Sequence, residues 1–165
     1  MQKTMTTRME LKLVGITTRT NNAQVFGSDP SVNKIAVLAQ KYFNNGLAEK
    51  IKDRKNPGTT FCAYTHYESD VNGHYTCFIG EEVSSFESVD QEFEMLTIPD
   101  QNYAKFTNQP GPMPDACIDM WQNIWKMDVS DLGGERAYVA DFEIYDERSR
   151  DYNNVTLDIY IGIKK

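Results

Sequence analysis

The order strand, helix, strand, strand can be read twice along this chain, and a fold that repeats its own elements leaves few arrangements open. The first copy opens with a strand over Glu10–Thr20, where Leu11, Leu13 and the β-branched Val14, Ile16, Thr17 and Thr18 favour extended backbone. Asn21 and Asn22 break it. Ser28-Asp29-Pro30 marks a helix start, with Asp29 suited to cap and Pro30 to the first helical position. Val32, Ile35, Ala36, Ala39, Tyr42, Phe43 and Leu47 follow at the spacing of one helix face, and Asn56-Pro57-Gly58 is a strong stop. A strand over Thr59–Tyr67, a turn at Asp70-Val71-Asn72-Gly73 and a return strand from His74 to about Val83 complete the copy.

After the polar stretch Ser84–Gln91 the order starts again. Phe93–Ile98 reads as a strand, Pro99-Asp100-Gln101-Asn102 as a turn and Tyr103–Asn108 as a strand. The Pro-rich loop Gln109–Pro114 leads into a helix whose apolar face is Cys117, Met120, Trp121, Ile124 and Trp125, ended by Leu132-Gly133-Gly134. Two alternating strands close the chain, Val139–Arg148 and Val155–Ile163. The expected fold is therefore α+β: duplicated strand-helix-strand-strand units with pseudo-twofold symmetry, an antiparallel sheet and two main helices. One domain is expected over 1–165, with the first repeat at about 9–86 and the second at about 92–165. The first few residues are expected to fray.

The final two strands carry the most informative chemistry. Along the first, Ala140, Phe142 and Ile144 alternate with Asp141, Glu143 and Tyr145. Along the second, Val155, Leu157, Ile159, Ile161 and Ile163 form one apolar face, opposite Asp158 and Tyr160. As hairpin partners they are expected to put acids and aromatics on one surface, suited to a small, cationic molecule. A carboxylate on a strand is most often a solvated residue, but Tyr145 and Tyr160 beside Glu143 argue for a pocket. A partly buried carboxylate is costly until something neutralises it, and aromatic faces add cation–π attraction. Trp121 and Trp125 share a helix stripe that suits core packing. Both cannot bury against one small sheet, so Trp121 is the candidate for the groove between the repeats. Tyr103 and Phe78 join it on repeat symmetry. With Tyr67 set against Tyr145, Thr65 falls opposite Glu143 and Ala63 opposite Asp141, which gives the second repeat the acids.

Charge and composition narrow the classes. A net charge of −7 with no block of Lys and Arg disfavours direct nucleic-acid binding, which depends on neutralising phosphates. No apolar run suits a membrane span or a signal peptide, so a cytoplasmic location is expected. Three widely spaced cysteines give no disulfide framework, and His66 and His74 suit a solvated hairpin better than a metal site. No cofactor and no metal are expected.

Several segments together resemble the GyrI-like family: Leu13–Thr20, Tyr103-Ala104-Lys105-Phe106, Trp121-Gln122-Asn123-Ile124-Trp125, Asp141-Phe142-Glu143-Ile144-Tyr145 and Asp158-Ile159-Tyr160-Ile161. That family comprises the effector-binding domain of multidrug-responsive and AraC-type transcription regulators and stand-alone relatives, including integron-cassette proteins. The resemblance implies a ligand groove between the halves, lined by aromatics and holding a glutamate, which Glu143 matches. The family's regulators add a helix-turn-helix module, for which this chain is too short, so it reads as a sensor without the reader. A transcription regulator is then a possible partner.

Two other readings stand beside a small-molecule binder. Some relatives resemble inhibitors of DNA gyrase, and an acidic protein could occupy a basic DNA-binding surface. Others are hydrolases of reactive small molecules, where Glu143 would act as general base with Asp141 roughly 7 Å away along the strand.

Overall fold

A computed structural model describes residues 1–27 and 33–165. The helix start read at Ser28-Asp29-Pro30 lies outside the described residues. In chain order the elements are β1 Gln2–Arg8, β2 Leu11–Thr20, α1 Asn22–Val25, α2 Lys34–Asn44, β3 Thr60–Thr65, β4 Tyr75–Glu82, β5 Glu94–Ile98, β6 Gln101–Thr107, α3 Asp115–Trp125, α4 Val129–Leu132, β7 Ala140–Tyr145 and β8 Asp158–Ile163. All the strand pairs are antiparallel, in one eight-stranded sheet of order β1-β6-β8-β7-β3-β4-β2-β5. The expected α+β fold with two main helices and a pseudo-twofold axis is the one found. The axis passes between β3 and β7, whose register pairs Ala63 with Phe142 and Cys62 with Glu143.

Two expectations change. The N-terminus does not fray: Gln2–Arg8 pairs residue by residue with β6, from Gln2 opposite Thr107 to Arg8 opposite Gln101. Its side chains are mostly exposed, so the segment has no apolar period to signal a strand; the backbone ladder to β6 is what mainly makes it one. The first repeat therefore starts at β1 rather than near residue 9. The second change is in the long helix. It ends at Trp125, and Asp128 starts α4 with a capping box to Asp131, because a capping aspartate offers the backbone a better bond at a new helix start than within a helix.

The outermost strands are exchanged. β1 borders β6 of the second repeat, and β5 borders β2 of the first. Only Met9 and Glu10 separate β1 from β2, so Arg8 and Leu11 lie within about 11 Å. In a flat sheet, strands six places apart would lie roughly 29 Å apart. The sheet must therefore curl until its ends approach, and the Glu10 amide donates to Asp100 of the equivalent β5–β6 turn at 2.6 Å. The inside of the curl buries Leu13, Phe61, Phe78, Tyr103, Phe142 and Tyr160, with the Arg8 guanidinium 5.0 Å from the Tyr160 ring centre. The outside carries both helices. Leu38 and Tyr42 of α2 pack on Val14, Ile16, Cys77 and Ile79; Met120, Trp121 and Ile124 of α3 pack on Phe106, Leu157, Ile159 and Ile161.

Deleting residues 1–9 removes the β1–β6 ladder and the Arg8 contact. Several ladder hydrogen bonds at about 1 kcal/mol each give an expected loss of about 3 kcal/mol, or a thermal midpoint lowered by roughly 10 °C in calorimetry.

Glu81 in β4 is buried with one carboxylate oxygen unpartnered and Arg54 3.5 Å from the other. Burial raises its pKa more than Arg54 lowers it. The folded state thus holds this proton to higher pH than the unfolded state, and the associated stability is present at low pH and lost as pH rises above the ordinary glutamate range. Glu81→Gln is expected to gain on the native protein between about pH 4 and 7, by on the order of 1 kcal/mol in denaturant titrations.

Candidate functional site

Each helix covers the outer strands of its own half, which leaves the central pair β3–β7 as a floor between them. A cavity of about 850 Å³ opens there. Its walls come from α2 (Ile35, Ala36, Ala39, Phe43) and α3 (Cys117, Ile118, Trp121, Trp125), and its floor from Cys62, Tyr64, Glu143 and Tyr145. Alternation along the two central strands sets the floor, because residues pointing outward on β3 and β7 face the gap between the helices.

Glu143 is the chemical centre of this floor. It is only 2% exposed. Tyr64 Oη donates to its Oε2 at 2.6 Å, Trp121 Nε1 donates to the same oxygen at 2.7 Å, and the Tyr145 hydroxyl donates to Oε1. Burial, and then the neighbouring cysteines and Glu143, push both tyrosine hydroxyls well above their ordinary pKa, so they keep the protons they donate. Among the described residues no Lys, Arg or His lies within ion-pair distance of Glu143. Three neutral donors orient the carboxylate, and its charge has no counterion. Such a group is stabilised by hydrogen bonding but remains a strong attractor of positive charge.

Aromatic rings continue from this centre in both directions. Tyr138, Tyr67, Tyr75, Tyr64, Trp121, Trp125 and Phe26 form an unbroken chain of contacts with ring centres 5.2–6.2 Å apart. The Phe26–Trp125 contact joins the segment after α1 to α3. Cys117 borders the cavity, and burial, then Glu143, keep it a thiol. Cys62 is held protonated first by its bond to Cys77, 3.7 Å away, and then by burial.

Beyond Glu143 on the same strand face, Asp141 is fully buried and heavily engaged. It accepts from the Tyr67 hydroxyl, from Arg136 Nη2 and from the Gly162 amide. Three of its roughly four acceptor positions are taken and Arg136 holds it as an ion pair, which commits it to the fold rather than to acid–base work with Glu143. Asp158 is likewise engaged, by Arg148 at 2.6 Å and by Thr107.

Of the six residues singled out in the sequence, Glu143, Tyr145 and Trp121 meet in the cavity. Tyr160, Tyr103 and Phe78 do not: they lie inside the curl, on the other side of the sheet. The register explains this. Phe142 pairs with Tyr160 and Glu143 with Ile159, so Tyr160 shares the face of Phe142. The apolar stripe Leu157, Ile159, Ile161 takes the side under α3, and Tyr160 must face away from it. Tyr103 and Phe78 follow the same side. The Thr65–Glu143 equivalence fails for the same reason, since Thr65 pairs with Ala140 on the inner side. The first-repeat residue that faces the cavity beside Glu143 is Tyr64. Tyr64, Tyr67, Cys62 and Arg136 were missed. Matching Phe78-Ile79-Gly80 to Tyr160-Ile161-Gly162 sets an offset of 82 and would put Phe61 opposite Glu143, because the β7–β8 connection, residues 146–157, is longer than the β3–β4 connection, residues 66–74; Tyr64 was therefore hidden from the repeat, and Arg136 sits in a loop with no periodic signal.

Comparison with known proteins agrees with this architecture. The sequence profile of one family, Cass2, described as integron-associated effector binding protein, matches residues 4–163. The Bacillus subtilis (strain 168) protein YobU, provisionally described as a transcriptional regulator, is 26% identical over 160 residues, covering 96% of each chain. The crystal structure of an integron cassette protein from Vibrio cholerae superposes with a TM-score of 0.76 at 26% identity, over 98% of this chain and 95% of that one. SAV2435, solved bound to tetraphenylphosphonium, shares the fold with a TM-score of 0.75 at 18% identity, over 99% and 94% of the two chains.

Proposed function

Because this chain belongs to the integron-associated effector binding protein family, we propose that the effector it binds is an amphipathic, drug-like cation held between the two helices. The observation that carries the reading is Glu143: a buried carboxylate with three neutral donors, no counterion among the described residues and a wall of aromatic rings. Bringing a lipophilic cation there neutralises the charge in a site of low dielectric, while ring faces contribute cation–π attraction without demanding one shape. The cavity volume lies within the range of drug-sized sites. SAV2435, which shares this fold, was solved bound to tetraphenylphosphonium, a lipophilic cation of the class proposed here, and this supports the reading.

In this reading the protein is a sensor. Its acidic surface disfavours DNA contact, and a signal would pass through a partner regulator. Titration with tetraphenylphosphonium in a calorimeter is the direct test. Saturable one-to-one binding with a micromolar dissociation constant is expected, accompanied by quenching of Trp121 fluorescence. No binding of this cation or of a cationic dye such as rhodamine 6G would overturn the reading.

A further inference from the structure

We propose that the cavity holds a second polar subsite at Arg136, which recognises a neutral hydrogen-bond acceptor on the ligand, such as a ketone, amide or sulfonyl oxygen. The proposal rests on the cation reading of Glu143 and specifies what else the ligand must carry.

Arg136 borders the cavity at the end beyond Asp141, and its side chain is 10% exposed. Of its nitrogens, only Nη2 has a protein partner among the described residues, the Asp141 carboxylate. Nε is buried with no acceptor among the described residues. A guanidinium presents five N–H groups in a fixed plane, so most of this donor set is unspent. An unpaired buried N–H is costly, and beside a cavity a ligand oxygen is one partner that would remove that cost.

The fork is also held rigidly. The guanidinium carbon stands 4.4 Å from the centre of the Tyr138 ring, and Tyr138 adopts a left-handed backbone (φ 52°) that is uncommon outside glycine. Tyr138 packs in turn on Tyr67, whose hydroxyl donates to the same Asp141 oxygen that Arg136 holds. A loop residue kept in this conformation by two packed partners marks a site built to hold one geometry.

Charge decides what the subsite prefers. Asp141 already neutralises Arg136, and Glu143 adds a further negative charge about 7 Å along the strand. A ligand carboxylate or phosphate would meet two carboxylates at this end. A neutral oxygen meets only the free N–H groups. The selected ligand therefore carries its positive charge toward Glu143 and an acceptor oxygen roughly 7–10 Å away.

The test compares hexyltriphenylphosphonium with its 5-oxohexyl analogue, which places a ketone at about that reach. The native protein is expected to bind the ketone at least fivefold more tightly, although it is the less apolar of the two. In the double variant Arg136→Met, Asp141→Asn, which removes both charges together, the ratio of the two affinities should fall to near one. Arg136→Lys, which keeps the ion pair and loses the planar fork, serves as a second variant and should lower the ratio as well. Equal affinities in the native protein, or a ratio preserved in both variants, overturns the subsite and leaves the cation reading standing. If neither phosphonium binds, the cation reading falls, and this inference with it.

Discussion

Replacing Glu143 with glutamine is expected to weaken tetraphenylphosphonium binding about 30- to 1000-fold, which corresponds to roughly 2–4 kcal/mol. The substitution is nearly isosteric. The amide oxygen can still accept from Tyr64 and Trp121, which share one carboxylate oxygen, while the Tyr145 hydroxyl can turn to accept from the new NH₂. The cavity therefore keeps its shape, and what changes is the charge. Because no cation among the described residues neutralises Glu143, the variant should be at least as stable as the native chain, with an unchanged or higher thermal midpoint. Loss of affinity without loss of stability separates a ligand-directed carboxylate from a structural one. Calorimetric titration and differential scanning calorimetry on the same preparation read both quantities. Affinity within threefold of native would remove Glu143 from the account of binding.

The opposite pattern is expected at Arg136. Asp141 is fully buried, and Arg136 is its cation. Arg136→Met leaves that carboxylate without a countercharge, at an expected cost of about 3–5 kcal/mol, or a thermal midpoint lower by roughly 10–15 °C. Adding Asp141→Asn should restore most of the loss, because the asparagine oxygen can still accept from the Gly162 amide, the Tyr67 hydroxyl can turn to accept from the new NH₂, and the site no longer has to hold a charge. The recovery in the double variant is the informative number, since it isolates the coupling between the two residues from their separate packing. A double variant no more stable than Arg136→Met alone would show that the pair is not the source of the effect. Two acids two residues apart on one strand face thus predict opposite phenotypes: one is paired for stability, the other left unpaired for a ligand.

That difference was not legible in the sequence. Alternation along Val139–Arg148 identified which residues share a face, and this held: Asp141, Glu143 and Tyr145 do point together. Alternation says nothing about the register of the next strand. The loop between β7 and β8 runs from Asp146 to Leu157, too long for a tight turn to fix the pairing. A shift of one residue changes every side chain's face, and Tyr160 went to the wrong side on that account. The apolar stripe from Val155 to Ile163 contained the correction, because a face that continuous must lie under a helix, and α3 is the helix available. Trp121 was legible as a groove residue from crowding on its helix. Arg136 was not, because a loop arginine has no period; only the burial of Asp141 demands a cation nearby. β1 escaped notice for a related reason, since its side chains face water and its place is set by backbone bonds.

The exchange of the outer strands has a consequence for how this protein is made. Gln2 leaves the ribosome about a hundred residues ahead of its partner Thr107, and neither half closes its sheet without a strand from the other. The curl cannot be completed until β6 has emerged, so β1 waits unpaired while everything between them is made. Contacts this distant in sequence slow folding, and waiting strand edges invite pairing with another chain. The exposed, polar character of β1 is what suits it to that wait: a strand with little apolar surface has little to aggregate with before its partner arrives.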